Sequence, residues 1–381
     1  MRKILLTGGR APVCLELARG FGADGYQIFL AESTTYPLAG FSKYVTAVYS
    51  VHQPRQHQLL FIRDLIRIIR IKNIDCLFPT CEEVFYISKY KDLIKRYCPE
   101  VMIVADGIKT MDILHNKYEF YKLCRQLRLT VPATRLFEQN MSTKDLSRPD
   151  RKIVAKPVYS RFGSFTRVAD CQSILPEIAK ETPTPWIIQA YIPGDVVCSY
   201  SYCERGRVRF HALYKENYKT SVKAAVNFCR IRNEKITGII EQIVAYLHYS
   251  GNISFDFICN HKDIYLIECN PRITSGIHLL RGNHFRDLFF SNDISSLSYQ
   301  NAKITLAMLR YGIPGLNHKN LICFLRTMAA YPDIIYDRKD KSPVYGQFLS
   351  WSEMIIKAIS NRISVTEAST YDIEWNGSTE A

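Results

Sequence analysis

Short apolar runs alternate with amphipathic stretches over the first hundred residues. Residues 3–7 form an apolar run, a Gly-Gly turn follows, and apolar residues at positions 15, 17, 18 and 21 then recur at helical spacing. Further short apolar runs lie at residues 27–31, 45–51, 74–78 and 101–105. Strands that alternate with helices usually form a parallel sheet covered by helices. The pattern therefore predicts an α/β, Rossmann-like domain over residues 1–109.

The pattern changes after this domain, where paired strand-like runs dominate. Residues 152–158 and 165–169 flank a turn containing Ser and Gly, and a helical pattern covers residues 234–248. These features indicate an antiparallel-rich α+β region over residues 110–290. Residues 291–381 have the pattern of mixed helices, with an amphipathic stretch at 352–363, and we expect a mostly helical C-terminal extension there.

Composition narrows the class of protein without naming a ligand. A chain of 381 residues allows two or three domains, and its net charge of +14 is compatible with polyanions, nucleotides, anionic substrates or a membrane surface. The 12 cysteines show no zinc-ligand spacing, and no apolar run is long enough to span a membrane. No secretory signal precedes the first strand, so we expect a cytoplasmic protein with reduced thiols. We expect no nucleic-acid partner, because the sequence has no recognised nucleic-acid motif.

Two carboxylates and an amide occur on consecutive predicted strands in the second half of the chain. Asp256 lies within one apolar strand, and Glu268 and Asn270 lie two residues apart on the next. Side chains repeat every two residues along a strand, so a hairpin brings all three to one face, with Arg272 following on that face. Oxygen ligands without His or Cys suit Mg²⁺. An ordinary hairpin with scattered polar residues is the alternative.

A lysine and a small-residue turn form a second candidate site. Lys156 lies in an apolar strand directly before the turn at residues 160–164, which contains Ser160, Gly163 and Ser164. Backbone N–H groups of such a turn can contact outer phosphates while the lysine reaches the inner ones. The alternative is a lysine at the strand edge whose ammonium group extends into solvent.

The order of these features resembles the ATP-grasp superfamily, over residues 1 to about 290. The sequence Asn270-Pro271-Arg272 is similar to a signature of its carbamoyl-phosphate-synthase-like branch. The C-terminal tail resembles that of stand-alone ATP-grasp proteins of unassigned substrate, which favours a dedicated small-molecule ligase of the stand-alone carboxylate-amine type. The resemblance implies a two-lobed ATP-grasp domain, with a small lobe over residues 110–185 and a metal-binding lobe over residues 186–290, after a Rossmann-like domain.

The resemblance also implies roles for individual residues. Lys117 and Lys156 resemble the two nucleotide-binding lysines, and Ser160, Gly163 and Ser164 lie in a segment like the loop that closes over the phosphates. Residues 189–195 resemble the hinge that binds adenine and ribose, and its implied nucleotide-binding residues are Gln189, Ala190, Tyr191, Ile192 and Asp195. Asp256, Glu268 and Asn270 would hold two Mg²⁺ ions, with Mn²⁺ as a substitute, and Arg272 and Lys156 would act on the transferred phosphoryl group.

The function implied is an ATP- and Mg²⁺-dependent ligase that converts a small-molecule carboxylate to an acyl phosphate and joins it to an amine. An amino acid or a peptide is the expected substrate. The sequence is also compatible with a homodimer. One alternative is an enzyme of the carbamoyl-phosphate-synthase or carboxylase type. Another is a nucleotide-binding regulatory protein without catalysis, and a third is a polyanion-binding protein, for which the sequence has no recognised nucleic-acid motif.

Overall fold

The computed structural model contains three β-sheets with helices packed on them. The residues that it describes are 2–138, 152–161, 165–178, 180, 185–218, 225–291, 294, 296–313 and 321–377.

The first sheet is five-stranded and parallel, as the alternating pattern predicts. Its strands are β1 (Lys3–Thr7), β2 (Gln27–Glu32), β3 (Val45–Ser50), β4 (Cys76–Phe78) and β5 (Met102–Ile103), in the order β3-β2-β1-β4-β5. Five helices connect or follow these strands, namely α1 (Pro12–Ala23), α2 (Gln58–Lys72), α3 (Glu83–Lys89), α4 (Lys91–Tyr97) and α5 (Ile108–His115). Pro12 begins α1, where its fixed φ and missing N–H cost nothing.

The second sheet has four antiparallel strands in the order β6-β9-β7-β8. The strands are β6 (Thr134–Leu136), β7 (Lys152–Pro157), β8 (Arg167–Asp170) and β9 (Trp186–Ala190), and the helices beside them are α6 (Lys117–Gln126) and α7 (Cys171–Ile178). On the sequence we assigned β9 to the metal-binding lobe, but it pairs with β6 and β7 here. The predicted domain boundaries remain predictions.

The third sheet is antiparallel and six-stranded, in the order β14-β13-β10-β11-β12-β15. Its strands are β10 (Asp195–Glu204), β11 (Arg207–Lys215), β12 (Asn227–Ile231), β13 (Gly251–Cys259), β14 (Ile264–Asn270) and β15 (Ala302–Lys303), with α8 (Glu234–Leu247) between β12 and β13. The short β15 comes from the region expected to be helical, and it completes one edge of this sheet because Asn227 and Phe228 pair with it.

The remaining elements are helical. They are α9 (Phe285–Phe290), α10 (Thr305–Ala307), α11 (Leu321–Ala330), α12 (Ser342–Asn361) and α13 (Val365–Ala368). The amphipathic stretch expected at residues 352–363 is the second half of α12, which begins earlier, at Ser342.

Apolar side chains from the first and third sheets share two continuous cores. In one core, Phe120 of α6 stacks on Phe255 of β13, with ring centroids 6.1 Å apart. In the other core, Phe21 of α1 contacts Phe285 and Phe289 of α9. The sheets therefore pack against each other through buried aromatic contacts.

A buried ionic cluster joins α1 to the segment after β14. Glu16 accepts hydrogen bonds from Arg281 at 2.9 Å and contacts Nδ1 of His278 at 2.9 Å. Burial alone would raise the pKa of Glu16, but Arg281 and His278 outweigh it and lower that pKa to about 2. The charged carboxylate thus stabilises the native state.

We expect Glu16→Gln to destabilise the protein by about 3 kcal/mol at neutral pH, because the buried guanidinium of Arg281 loses its counter-charge. The pKa of Glu16 is depressed in the native state, so its contribution is complete above pH 4.5 and is lost as the pH falls towards 2. Urea unfolding at several pH values checks this: the gap between wild type and variant should narrow over that range.

The control is Asp64→Asn, which removes a solvent-exposed contact with His52 and should cost less than about 1 kcal/mol. Equal destabilisation by both variants would contradict the assignment.

Candidate active site

The hairpin formed by β13 and β14 places two carboxylates side by side. Asp256 and Glu268 are direct partners across the two strands, and Asn270 pairs with Ser254 two residues further on. The side chain of Asn260 accepts hydrogen bonds from the backbone N–H groups of Lys262 and Asp263, which fixes the connecting turn. The hairpin therefore brings Asp256 beside Glu268 as predicted, and a β-bulge between Asp256 and Phe257 shifts the register so that the two carboxylates become direct partners.

Two buried lysines from different elements face this hairpin. Lys117 begins α6, because the side chain of Asn116 caps the helix by accepting from the N–H groups of Tyr118 and Glu119 at 3.0 Å. Lys156 comes from β7. The Nζ atoms of both lysines lie 3.8 Å from Oε2 of Glu268, and Lys117 also donates to the carbonyl oxygen of Ser160 at 3.0 Å.

The electrostatics of this cluster follow from burial and close charges. Burial, with the neighbouring Glu268, raises the pKa of Asp256 to about 7. Burial alone would raise the pKa of Glu268 as well, but the two ammonium groups lower it. Burial lowers the pKa of Lys117 to about 8 and that of Lys156 in the same direction. The carboxylates of this cluster can therefore attract a cation, and its ammonium groups can attract an anionic group.

A cavity of about 740 Å³ opens beside the hairpin. The predicted site residues on its wall are Lys156, Gln189, Ala190, Tyr191, Ile192, Asp256, Glu268, Asn270 and Arg272. Gly194 lets the chain cross close to β13, because a Cβ there would lie 2.5 Å from the carbonyl oxygen of Cys259. The end of β9 and the residues that follow therefore line one side of the cavity, with the carboxylates on another.

Some predicted nucleotide-binding residues lie off this wall or already have a hydrogen-bond partner. Asp195 begins β10 as an exposed residue opposite Cys259 and is not on the cavity wall. Gln189 is buried and donates to Oγ1 of Thr134 at 3.0 Å, so that interaction already uses part of its amide. Ser160 contributes its carbonyl oxygen to Lys117, while Gly163 and Ser164 lie outside the described residues.

The donor set is compatible with a hard divalent cation. Within the described ranges, no group of three or more His, Cys, Asp or Glu side chains is arranged to hold a metal. The hairpin instead offers two carboxylates and the amide of Asn270, which is oriented by a 3.5 Å contact from Arg272. Oxygen donors of this kind suit Mg²⁺ that keeps several waters and is completed by phosphate oxygens.

The other end of the cavity is lined by three segments that are distant in sequence. They are residues 10–13 after β1, residues 80–82 before α3, and Ser369, Thr370 and Ile373 near the C-terminus. The first two segments follow adjacent parallel strands, so the carboxyl edge of the first sheet faces the cavity. A ligand placed near Arg272 would therefore contact this wall.

A buried ion network fixes the C-terminal part of that wall. Arg10 pairs with Glu32 at 2.5 Å and with Asp372 at 2.6 Å, and Lys357 pairs with Asp372 at 2.8 Å. Burial alone would raise the pKa of Asp372, but Arg10 and Lys357 hold it well below its usual range. Asp372 is therefore charged in the folded protein and anchors the C-terminal segment to the turn after β1.

A second set of contacts joins Arg161, which follows β7, to the same C-terminal segment. Arg161 pairs with the buried Glu82 and donates to the backbone carbonyl of Trp375 and to the side chain of Asn376. The indole N–H of Trp375 donates to Asp112 at 2.9 Å, and its ring stacks on Phe85. The residue directly before positions 162–164 is thus held by the first domain and the C-terminus together.

Sequence reasoning missed Arg10, Glu82, Arg161 and Asp372. A signal existed for Arg10 and Glu82, because each follows a strand of the predicted parallel sheet, where ligand sites of such sheets lie. For Asp372 the sequence carried no such signal, since its partner Arg10 lies 362 residues away.

Comparisons with known proteins identify the region around the hairpin. Residues 114–276 match the family model of the ATP-grasp domain. Two curated relatives each match 45% of this chain, and the matched part is 44% of the length of the first relative and 18% of the second. The second relative, 21% identical, is the arginine-specific large chain of carbamoyl phosphate synthase from Bacillus subtilis. The chain therefore spans less than half of either relative.

Solved structures share the fold over most of the chain. The L-amino acid ligase of Bacillus licheniformis superposes with a TM-score of 0.58 at 14% identity, covering 78% of this chain and 75% of the ligase. The N5-carboxyaminoimidazole synthetase of Staphylococcus aureus, solved with ADP, superposes with a TM-score of 0.61 at 14% identity, covering 79% and 80%. At these identities the similarity establishes a shared fold.

We expect Asp372→Asn to release the C-terminal segment from the turn after β1, because Lys357 and one side of Arg10 lose their buried counter-charge. The expected cost is about 3 kcal/mol of unfolding free energy. Hydrogen exchange measured by mass spectrometry should show faster exchange at residues 369–376. The matched control is Glu177→Gln, which breaks the exposed pair with Arg167. It should change neither the unfolding free energy nor the exchange rate at residues 369–376 by more than the measurement error.

Proposed function

We propose, from the ATP-grasp domain that residues 114–276 form, that this protein is an ATP-dependent ligase that activates a carboxylate as an acyl phosphate and joins it to an amine. The observation that carries the proposal is the convergence on Glu268 of two buried lysines, beside Asp256 and within the cavity that also contains Arg272. An amino acid or a peptide is the proposed substrate class.

In this proposal the nucleotide lies between the second and third sheets. Lys117 and Lys156 bind its phosphates, and their ammonium groups already lie at one carboxylate of the hairpin. Residues 189–192, which line the cavity, form its adenine end. Asp195 lies outside the cavity wall, so a ribose contact there requires movement of the hinge.

Asp256, Glu268 and Asn270 would hold Mg²⁺, which neutralises phosphate charge when bound and aligns the phosphates. Because the pKa of Asp256 is raised to about 7, this residue must lose its proton to serve as a ligand, and the charge of Lys156 favours that loss. Two ions are the family expectation, with Mn²⁺ as a substitute.

The transfer needs no nucleophile from the protein. A carboxylate oxygen of the substrate attacks the γ-phosphorus, the bond from that phosphorus to the β,γ-bridging oxygen breaks, and ADP leaves. The amine then attacks the carbonyl carbon of the acyl phosphate, inorganic phosphate leaves, and the amine loses a proton. Lys156 and Arg272 hold the equatorial oxygens during the transfer, so catalysis comes from positioning and charge neutralisation.

A carboxyphosphate-forming enzyme is the second candidate. It is motivated by the Asn270-Pro271-Arg272 sequence and by the match to the carbamoyl phosphate synthase chain. In that reaction bicarbonate replaces the organic acid, so ATP turnover would depend on bicarbonate alone. A protein that binds nucleotide without transferring phosphate is the remaining alternative, and it would release no phosphate with any acid.

We expect release of ADP and phosphate from Mg²⁺-ATP only when one acid from a pool of amino acids, peptides or other carboxylates is present. Hydroxylamine should trap the acyl phosphate as a hydroxamate of the same acid. Glu268→Gln should lower the rate by at least about a hundredfold, because it removes the charge that faces both lysines and the metal.

Asp263→Asn is the matched control for that variant, since Asp263 lies in the turn of the same hairpin and is exposed. Its rate should stay within about twofold of wild type. Turnover with bicarbonate and no organic acid would favour the carboxyphosphate reaction. ADP binding without turnover in any pool would contradict ligase activity.

We also expect Arg272→Lys to lower kcat by about tenfold or more while leaving ADP affinity nearly unchanged. The lysine keeps the charge but loses the planar fork that can bind two oxygens of the transferred group. Steady-state kinetics and calorimetric titration with ADP separate the two effects. A loss of ADP affinity as large as the loss of kcat would show that Arg272 acts on the nucleotide instead.

A further inference from the structure

Helix α12 has an unusual distribution of side chains. Its buried residues include the small Gly346, Ser350 and Ala358 together with Met354, whereas most of its large apolar residues are exposed. We call the outward set the apolar face, and its members are Tyr345, Phe348, Leu349, Ile355, Ile356 and Ile359. Tyr345 is 75% exposed, and Ile359 is 72% exposed. Monomeric soluble proteins rarely leave such a continuous face uncovered.

The rotation of α12 about its axis is fixed by its contacts with the first domain. A Cβ on Gly346 would lie 2.2 Å from the ring of Phe41, so the helix approaches that ring as closely as a glycine permits. Glu353 accepts from the backbone N–H groups of Thr35 and Tyr36, and Lys357 pairs with Asp372. The polar side chains of the helix thus bind inward, and the apolar face cannot turn towards the core.

The apolar face follows helical spacing. Its members form two groups on one side of a helix about 30 Å long, namely Tyr345, Phe348 and Leu349 and then Ile355, Ile356 and Ile359, with the exposed Ser352 between the groups. Trp351 borders the apolar face and is 56% exposed. Aromatic side chains with one polar group are typical of helices that lie in the interface of a bilayer.

The charges around the apolar face are of one sign. Between residues 336 and 363, all of which the structure describes, the exposed charged side chains are Arg338, Lys339, Lys341 and Arg362. The first three precede or begin α12, and Arg362 follows it. The acidic side chains in that range bind inward or are partly buried. An anionic surface therefore complements both ends of the apolar face.

We propose that α12 binds the surface of an anionic phospholipid bilayer, with the apolar face inserted at the boundary between headgroups and acyl chains and the four basic residues against lipid phosphates. None of the helices in the described ranges combines the length and apolar composition needed to cross a membrane, so the association is peripheral. This inference is independent of the proposed ligase chemistry.

A second copy of the chain fits this face less well. A twofold contact that is antiparallel along α12 brings Lys341 of one copy towards Arg362 of the other, and a parallel contact brings like residues together. Neither arrangement offers a carboxylate on the face to neutralise these charges. Charge repulsion therefore favours lipid phosphate as the partner.

The test is co-sedimentation of the full chain with vesicles of phosphatidylcholine mixed with phosphatidylglycerol, and with vesicles of phosphatidylcholine alone. We expect at least about tenfold stronger binding to the anionic vesicles at about 0.1 M NaCl, weakening at about 1 M. Fluorescence gives a second readout, because Trp186 and Trp375 are buried and Trp351 is the exposed member of the three tryptophans. Its emission should shift to shorter wavelength on binding.

The variant Ile356→Glu/Ile359→Glu should weaken vesicle binding more than about tenfold. Leu59→Glu/Ile71→Glu is the matched control, because both side chains are 61% exposed on α2, and it should bind as wild type does. Lys341→Gln/Arg362→Gln should lose about fivefold per removed charge.

Three results would overturn the proposal. These are no binding to anionic vesicles, equal loss in the control variant, or a dimer in analytical ultracentrifugation that Ile356→Glu/Ile359→Glu dissociates without any vesicle binding by wild type. Circular dichroism of each variant verifies that it is folded, and Trp351→Phe should abolish the emission shift while weakening sedimentation less than Ile356→Glu/Ile359→Glu does.

Discussion

Two neighbouring carboxylates in the β13–β14 hairpin constrain much of this structure. Burying Asp256 beside Glu268 is costly, and the charges of Lys117 and Lys156 compensate for it. One lysine depends on the cap of α6 and the other on a strand of the second sheet. The packing of the second sheet against the third is therefore tied to the electrostatics of the hairpin, and the cavity forms where they meet.

The end of the cavity away from the hinge depends on a different set of charges. Arg10 and Arg161 are both paired with buried carboxylates, so neither has charge to spare for a ligand. These pairs hold the turn after β1 and Arg161 itself in fixed positions against the C-terminal segment. Arg272 lines the cavity without a carboxylate partner among the described contacts, and this supports its proposed role at the transferred phosphoryl group.

The C-terminal region has two distinct faces. Its inward side supplies Asp372 and Trp375 to the ion network and the aromatic stack beside the cavity. Its outward side presents the apolar face of α12. Since Lys357 of the same helix pairs with Asp372, binding on the outward face acts on an element that is in contact with the cavity wall. A protein bound to a surface through this apolar face would have its cavity on the opposite, inward side of α12.

The sequence by itself determined the parallel first sheet, the two hairpins and the ATP-grasp resemblance, because apolar periodicity and turn residues are local signals. It also placed Asp256 and Glu268 on one hairpin, but a β-bulge between Asp256 and Phe257, which the sequence did not indicate, brings the two carboxylates into direct register. Tertiary structure alone decided the pairing of β9 with β7, the edge strand β15, the partners of Arg10 and Arg161, and which side of α12 is buried. These features join segments that are far apart in the chain. Periodicity within one segment shows that it has an apolar side but does not show which other segment covers that side.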